Sequence, residues 1–424
     1  MQEDFLHYIW KFQKFTKSYL KTDAGEELHI INQGNHNLNS GPDFFNAQLK
    51  IDNQHWAGNV EIHLKSSDWY AHHHEIDDAY DNVILHVVWQ HDVEVFRRDN
   101  TVIPTLVLNE RVDKITLENY KKLQTASKKW IPCEDMFPEI DTFLLQNWLE
   151  RLYFERLENK SQTIMKLLNA SKNDWEAVVF KMLAKSFGLK NNGEAFLSIV
   201  NSVDFSVIKK IQNDKLELEA LLFGQARLLE GDSENEYFKK LKSSYDYLKN
   251  KFSLNNNTVL PVSFFRLRPV NFPTIRLAQL ATVYSNNPQL FSKLVAVKSK
   301  EDVYTLFDYE TSSFWDTHYH FQSTSARRKK KMTKSFVDLI IINTLVPVIF
   351  CYSKFLGKDT SETIISLMSS VAKEENAIVN QFTGLSPVAE NALLSQGLIE
   401  LKNNYCDKKK CLECAVGNSI LNNN

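Results

Sequence analysis

Four residues near the N-terminus have the types and spacing that metal-assisted hydrolysis uses. Asp43 follows a proline in a polar turn, and the downstream stretch "VEIHLK" alternates apolar and polar residues. Because side chains alternate between the two faces of a strand, Glu61, His63 and Lys65 are predicted on one face. A hairpin would then place Asp43 beside Glu61, and adjacent carboxylates repel unless a cation such as Mg²⁺ lies between them. The pattern predicts a Mg²⁺ or Mn²⁺ site held by Asp43 and Glu61, with catalytic roles for His63 and Lys65.

Two other interpretations of this region stay open. The strand could be simply amphipathic, with a solvated polar face. Ten of the 12 histidines also precede residue 92, so "AHHHE" and "ILHVVW" could supply imidazoles to Zn²⁺, Mn²⁺ or Fe²⁺ in a metallohydrolase. No HExxH spacing supports that alternative, and His72, His73 and His74 are most simply interpreted as an exposed loop. His86 is expected either at the same site or in the core.

The C-terminal cysteines form a second candidate site. "CDKKKCLEC" places Cys406, Cys411 and Cys414 at the spacing C-x4-C-x2-C, and Cys133 could supply a fourth thiolate. Such a set predicts Zn²⁺ or an iron–sulfur cluster, the alternative being three incidental reduced thiols. Cys351 lies in an apolar run and is expected in the core.

A run of cations after the aromatic segment "FWDTHYHF" is a candidate nucleic-acid-binding surface. Its members are Arg327, Arg328, Lys329, Lys330 and Lys331. Cations beside stacking surfaces suit a phosphate backbone with unstacked bases, although a solvated loop would show the same pattern. The segment "RLRPVNFPTIRLAQLA" adds three arginines to which the sequence assigns no role, Arg266, Arg268 and Arg276.

The elements that must position these residues divide the chain in two. Residues 26–108 contain short alternating runs separated by Gly, Pro, Asn and Asp, which predict a sheet preceded by a helix. From about residue 141 the apolar period becomes helical, and "IPCEDMFPEID" before it has the prolines of a linker. We therefore expect an α+β fold with an α/β domain at 1–130 and a mostly helical domain at 131–424 that carries the cysteine cluster.

Composition limits the class of protein. The 424 residues are 43% hydrophobic with a net charge of −2, so a folded chain of about two or three domains is expected, and charge alone neither favours nor disfavours nucleic acid. The N-terminus does not resemble a signal peptide, and no apolar run of about 18 residues is evident. We expect a cytoplasmic protein without a membrane partner; its protein partners are not indicated.

The motifs resemble two families. Residues 1 to about 110, with Pro42-Asp43 and Glu61, are similar to PD-(D/E)XK phosphodiesterases, whose α-β-β-β-α-β core carries the first Asp at the start of the second strand and the acid and Lys on the third. The chain departs from this motif because His63 stands where the Lys would be, with Lys65 further along the same face. Over nearly all its length, "GPDF", "GNVEIHLKSSDW", "RPVNFPTIRLAQLA" and "CLECAVG" resemble a bacterial family, domain of unknown function 2851, which implies no particular activity.

The first resemblance implies a restriction-endonuclease-like domain and Mg²⁺-dependent cleavage of DNA or RNA. Certain nucleases of this fold also hold a [4Fe-4S] cluster with one distant and three C-terminal cysteines, an arrangement similar to that of this chain. The alternative from another class is a non-catalytic nucleic-acid-binding or scaffold protein that retains the fold. A histidine-rich metallohydrolase is third.

Overall fold

The structure is a computed structural model that describes residues 1–125 and 129–422. It has a mixed α+β fold, with a curled mixed sheet in the N-terminal region and a helical C-terminal part, as the sequence predicts. The strands are β1 (Leu28–Asn32), β2 (Asn35–His36), β3 (Phe44–Ile51), β4 (Gln54–Lys65), β5 (Val83–Gln90), β6 (Thr105–Val107), β7 (His318–His320) and β8 (Ser323–Thr324).

The N-terminal sheet has the order β1-β3-β4-β5-β6, and β2 pairs with β3. Strands β1, β3 and β4 are antiparallel neighbours, whereas β4, β5 and β6 run parallel. The β3–β4 hairpin turns at Asp52, whose φ of 49° lies in the left-handed region. Its register pairs Phe44 with Val60, so Asp43 comes next to Glu61.

Helices lie before and after the strands of the N-terminal region and make up nearly all of the C-terminal part. They are α1 (Glu3–Lys11), α2 (Asp68–Ala71), α3 (Lys114–Thr125), α4 (Thr142–Ala170), α5 (Trp175–Phe187), α6 (Leu189–Asn201), α7 (Phe205–Ile211), α8 (Lys215–Gln225), α9 (Glu236–Phe252), α10 (Pro273–Asn286), α11 (Leu290–Val295), α12 (Lys300–Phe307), α13 (Lys334–Ile340), α14 (Val346–Phe355), α15 (Ser361–Ser370), α16 (Ala377–Leu385), α17 (Ala392–Glu400) and α18 (Ala415–Asn422). Single π-helical turns at Ile341–Leu345 and Leu401–Cys406 follow α13 and α17, and 3₁₀ turns include His74–Ile76, Asp78–Tyr80 and Cys411–Glu413.

Helix α1 covers one face of the sheet because its apolar residues recur at helical spacing. Phe5, Leu6, Ile9 and Trp10 are buried, and the helix packs against β4. Residues 58–63 of β4 are buried on both faces, so the interpretation of Glu61 and His63 as a solvated strand face is wrong. They are 4% and 1% exposed.

The chain forms two compact units whose boundaries differ from the predicted ones. The first comprises residues 1–148, 383–386 and the part from 399 onward, and the second comprises 149–382 and 387–398. The predicted boundary at residue 130 therefore lies within the first unit. The C-terminal cysteine segment also belongs to that unit rather than to the helical one, because α18 packs against α3 and Oγ1 of Thr116 donates to the carbonyl oxygen of Leu421 at 3.2 Å.

One long apolar helix was not predicted from the sequence. Lys334–Phe355 forms a 22-residue helix with a mean hydropathy of 1.9, and 67% of its apolar window is buried within the fold. Among the described residues, this is the one helix that is long and apolar enough to cross a membrane. The expectation that the chain has no apolar run of about 18 residues is therefore wrong. A buried core helix has the same properties, so the helix is weak support for a membrane span.

Candidate metal centre

Asp43 and Glu61 hold each other through reciprocal backbone contacts. The amide of Asp43 donates to Oε2 of Glu61 at 3.1 Å, and Oδ2 of Asp43 accepts from the amide of Ile62 at 3.0 Å. Burial, followed by the nearby charge of Asp43, raises the pKa of Glu61 to about 9. The structure thus brings together the two carboxylates predicted to share a cation, in surroundings that favour a cation beside them.

Three imidazoles lie next to this pair. Nε2 of His63 is 3.1 Å from Nδ1 of His72 and 3.6 Å from Oε1 of Glu61, and Nε2 of His74 is 3.3 Å from the same Glu61 oxygen. One ligand atom from each of the three histidines lies within 4.8 Å of the other two. Donors bonded to one tetrahedral ion at about 2.1 Å lie about 3.4 Å apart, so these separations fit a single metal ion.

The loop after α2 supplies two of these imidazoles because the chain reverses at His73. His73 is exposed and adopts φ 62°, ψ 32°, a left-handed conformation that turns the backbone between its neighbours. The ring of His74 then stacks on Tyr80 at a centroid distance of 3.7 Å and meets Trp69 edge-on at 5.3 Å. The interpretation of this segment as an exposed loop is therefore wrong for His74, whose side chain is only 10% exposed.

His86 supports His63 from the neighbouring strand. Nε2 of His86 lies 2.9 Å from Nδ1 of His63, and both rings are buried. Burial and neighbouring imidazoles lower the pKa of His63 to about 2 and that of His86 to about 3, so both rings are neutral. If Nδ1 of His63 donates to His86, its Nε2 keeps a lone pair directed towards His72 and Glu61, the arrangement of a metal-ligating histidine with an outer partner.

Helix α1 adds two more groups. Glu3 and His7 are four residues apart and therefore share a face of the helix. Nε2 of His7 lies 3.2 Å from Oδ2 of Asp43. Burial, which lowers the pKa of His7, is outweighed by the hydrogen bond and charge of Asp43, so that the pKa of His7 is raised.

Lys65 is the predicted catalytic residue that the structure does not bring to the carboxylates. It ends β4 on the predicted face but is exposed, and its ammonium interacts with Asp92, which follows β5. His63, which stands at the motif position of the Lys, is neutral and lies among the other imidazoles. The position of a charge-stabilising lysine is therefore not filled by either residue.

The donor set favours a transition metal over Mg²⁺. Three imidazoles and one carboxylate suit Zn²⁺, Mn²⁺ or Fe²⁺, whereas Mg²⁺ prefers oxygen ligands and keeps several waters. Asp43 and Glu61 alone would suit Mg²⁺, as the sequence predicts. The three histidines shift the balance towards the softer ions.

The four cysteines of the second candidate site come together. Cys133, Cys406, Cys411 and Cys414 line one small cavity, and each thiol interacts electrostatically with the other three. Burial, followed by the charge of Cys414, raises the pKa of Cys411 to about 12, and burial raises the pKa of each of the other three. All are free thiols, and Cys351 is buried as expected for a core residue.

The backbone around Cys414 is arranged as at thiolate–metal sites. The amides of Val416 and Gly417 donate to the Cys414 sulfur, and the indole of Trp148 lies near it. A Cβ at position 417 would lie 2.0 Å from the carbonyl oxygen of Cys411, so only glycine fits this close approach. Hydrogen bonds to sulfur are among the features that stabilise and tune thiolate-bound clusters.

The basic run is only partly available to a ligand. Lys329 pairs with Glu310 at 2.7 Å, Lys331 pairs with Asp308 at 3.0 Å, and Lys330 is buried. Arg327 and Arg328 are exposed, with Nε of Arg327 3.9 Å from Asp316. Exposed ion pairs are weak and would open for a phosphate backbone, so nucleic-acid binding by this run stays a prediction.

His7 is a site residue that sequence reasoning did not assign, whereas His72 and His74 were considered as ligands only in the metallohydrolase alternative. The sequence does show two pairs of possible ligands, each two residues apart: Glu61 and His63 on a strand, and His72 and His74 soon after it. The sequence could not predict the left-handed conformation of His73, between His72 and His74, because that conformation depends on the packing of Trp69 and Tyr80.

Comparison with known proteins gives a family but no activity. No curated protein and no solved structure matches the chain, so the similarity to PD-(D/E)XK nucleases is not confirmed. A family model described as protein of unknown function (DUF2851) matches residues 3–377. The chain therefore belongs to the DUF2851 family.

Proposed function

We propose that the chain is a metal-dependent phosphodiesterase that cleaves nucleic acid at a centre formed by Glu61, His63, His72 and His74, with Asp43 beside it. The observation that carries the proposal is the set of contacts between 3.1 and 3.6 Å that joins the three imidazoles to Glu61. A set of donors at these separations fits one transition-metal ion.

The chain's own residues would divide the work of hydrolysis. Glu61 and the three imidazoles would hold the ion, which when bound would lower the pKa of a water and shield the phosphate charge. Asp43 is held by the backbone amide of Ile62 and by the ring of His7. The side chains of Asp43 and His7 can therefore orient the attacking water through hydrogen bonds. His86, as acceptor from Nδ1 of His63, would leave the Nε2 lone pair of His63 free to hold the ion. Water cleaves the diester to a phosphomonoester and an alcohol.

The order of elements favours a phosphodiester over other hydrolysable bonds. Helix α1 precedes four antiparallel strands, β1 to β4. If the two-residue β2 is left aside, the second of them (β3) begins after Asp43 and the third (β4) carries Glu61, and the short α2 leads to the parallel strand β5. This is the order and placement that the resemblance to PD-(D/E)XK enzymes implies. Fold analogy therefore supports a phosphodiester as the substrate class.

One observation favours the non-catalytic alternative. The ammonium of Lys65 is exposed beside Asp92 and is not placed to stabilise charge on a phosphate at Asp43. A chain that has lost this cation and keeps the fold would bind nucleic acid or act as a scaffold. The two functions differ in whether the phosphodiester bond breaks.

An assay of cleavage separates them. Full-length protein with Mn²⁺, Zn²⁺ or Mg²⁺ should cut single-stranded, duplex or branched DNA or RNA, with Mn²⁺ or Zn²⁺ more effective than Mg²⁺. Glu61→Gln and Asp43→Asn should each lower the rate at least about 100-fold, because a ligand or a water-orienting group is lost. Asp78→Asn, at an exposed acid of the same loop region, is the matched control. Intact substrates across the panel, with binding retained, would establish the scaffold alternative.

The four cysteines are proposed to hold a [4Fe-4S] cluster rather than Zn²⁺. Zn–S bonds of about 2.3 Å bring tetrahedral sulfurs within about 3.8 Å of each other. Among the described residues, no three of these sulfurs all lie within 4.8 Å of one another, whereas one Zn²⁺ would bring all four closer than that. Protein purified without oxygen should contain iron and acid-labile sulfide, both lost in Cys411→Ser. One Zn²⁺ per chain without sulfide would contradict the cluster.

A further inference from the structure

Arg276 is a buried cation in the helical unit that neither proposed site uses. It lies on α10, is 7% exposed, and among the described residues its side chain contacts neutral groups. Nη1 donates to Oε1 of Gln279 at 2.8 Å, Nη2 donates to Oδ1 of Asn271 at 2.6 Å, and the guanidinium lies over the ring of Phe336 at 3.5 Å. These contacts hold the guanidinium plane in one orientation.

The charge of Arg276 is not compensated by the protein. Its Nε is buried without an acceptor among the described residues. Burial lowers the pKa of Arg276 to about 10, and no carboxylate acts against that shift. A buried charge destabilises the fold unless an opposite charge accompanies it. An anion from outside the chain would compensate the charge of Arg276.

Arg276 lines a cleft of about 930 Å³ that is rich in other cations. Arg268 and Arg328 are exposed on its wall, and neither pairs with a carboxylate in the part of the chain that the structure describes. Lys330 is buried there, and its ammonium donates to the carbonyl oxygens of Asp316 at 3.2 Å and Arg328 at 3.1 Å. The volume is large enough for a nucleotide-sized ligand.

Most acidic residues of the cleft have partners of their own. Asp338 accepts from the hydroxyl of Tyr304 at 2.7 Å, and Glu375 lies 3.9 Å from Lys373. Glu374 hydrogen-bonds Gln396 and interacts with Arg156 and Lys160. Glu390 is exposed to solvent. The cleft is lined by seven cationic side chains and four carboxylates, so its net charge is positive.

We propose that this cleft binds a phosphate group, with Arg276 as the central contact and Arg268 and Arg328 as outer contacts. Arginine suits this role because its planar donors match phosphate oxygens and remain charged. The phosphate belongs either to a small phosphorylated molecule or to a nucleic-acid backbone, since both present the same oxygens. The site goes beyond the proposed phosphodiesterase function and needs no metal ion.

Calorimetric titration of the full-length protein in EDTA tests the site without the metal centre. Sodium pyrophosphate and a single-stranded oligonucleotide are the two probes, at fixed low salt. Arg276→Met and, separately, the exposed double variant Arg268→Ser/Arg328→Ser should each weaken binding about 10- to 100-fold, because charge-assisted hydrogen bonds are lost. Arg266→Asn, an exposed arginine on the same segment that does not line the cleft, should bind as the unmodified chain does.

The pattern of binding decides the source of the phosphate. Tight pyrophosphate binding identifies a small phosphorylated ligand, whereas binding of the oligonucleotide alone identifies a backbone contact. If Arg276→Met fails to fold by circular dichroism, the exposed double variant carries the test. The proposal is overturned if neither probe binds, or if both bind the double variant as tightly as the Arg266→Asn control.

Discussion

Nε2 of His63 lies 3.1 Å from Nδ1 of His72, although one residue is on β4 and the other follows α2. Two imidazole nitrogens at this distance share either a proton or a metal ion. Oε1 of Glu61 lies 3.6 Å from the same His63 nitrogen and 3.3 Å from Nε2 of His74. One ion accounts for all three contacts at once, whereas a shared proton accounts for only the first.

The imidazole of His74 should be required for metal binding. His74→Ala removes a neutral donor that lies 3.3 Å from Glu61, and Mn²⁺ affinity should fall at least about 10- to 100-fold. Calorimetric titration with Mn²⁺ measures this loss at the histidine centre, because thiolates favour softer ions. His73→Asn keeps a residue that tolerates the left-handed conformation and should bind Mn²⁺ normally. Equal affinities in the two variants would remove His74 from the centre.

His86 should act on the metal through His63. His86→Leu removes the acceptor at 2.9 Å from Nδ1 of His63, and Mn²⁺ affinity should fall about 10- to 100-fold. His86→Gln can place an oxygen near the position of Nε2 and should recover most of the affinity. Recovery of Mn²⁺ affinity in His86→Gln would show that residue 86 acts by positioning His63. The melting temperature of each variant without metal would show separately whether the substitution disturbs core packing. If both variants bind Mn²⁺ as the unmodified chain does, His86 is a core residue only.

Gly417→Ala should disrupt the cysteine site. The added Cβ would lie 2.0 Å from the carbonyl oxygen of Cys411, so the loop must move and the sulfurs separate. The variant should not hold the proposed iron–sulfur cluster and should melt at a lower temperature than the unmodified chain. Gly384→Ala is the control, because no atom lies within 4 Å of its added Cβ and alanine favours the helix there. Full iron content in Gly417→Ala would contradict the role of this close approach.

Glu219 should be the most costly carboxylate to remove from the helical unit. It is fully buried and accepts hydrogen bonds from Nε1 of Trp315 at 2.6 Å, from the hydroxyl of Tyr237 at 3.0 Å and from Oγ of Ser312 at 3.0 Å. Glu219→Ala leaves these donors unpaired and should lower the free energy of unfolding by about 3 kcal/mol or more in urea denaturation.

Glu234→Ala provides the comparison for Glu219. Glu234 is exposed and pairs only with Lys239 at 3.0 Å, so its loss should change the unfolding free energy by less than about 1 kcal/mol. Similar effects of the two substitutions would mean that the donors around Glu219 find other acceptors.

The contact between Asp43 and Glu61 could be predicted because it depends on local rules. Strand alternation places Glu61 and His63 on one face, and a short hairpin sets the register. The convergence of Cys133 with the C-terminal cysteines was also expected, although spacing alone did not place that segment in the first unit.

The remainder of the metal centre depends on packing between distant segments. Alternation placed Lys65 on the correct face but could not show that β4 leaves the covered part of the sheet before residue 65. The position of His74 depends on the left-handed His73 and on stacking against Tyr80. Burial of both faces of β4 comes from α1 and the loop after α2, neither of which is encoded in the strand's own pattern.

Anomalous diffraction from crystals soaked in Mn²⁺ tests the central claim most directly. We expect one peak within about 2.0–2.3 Å of Nε2 of His63, Nδ1 of His72 and Oε1 of Glu61. A peak there would establish the metal centre before any substrate is known. No peak, with His63 and His72 still in hydrogen-bond contact, would show a proton-sharing pair and contradict the account.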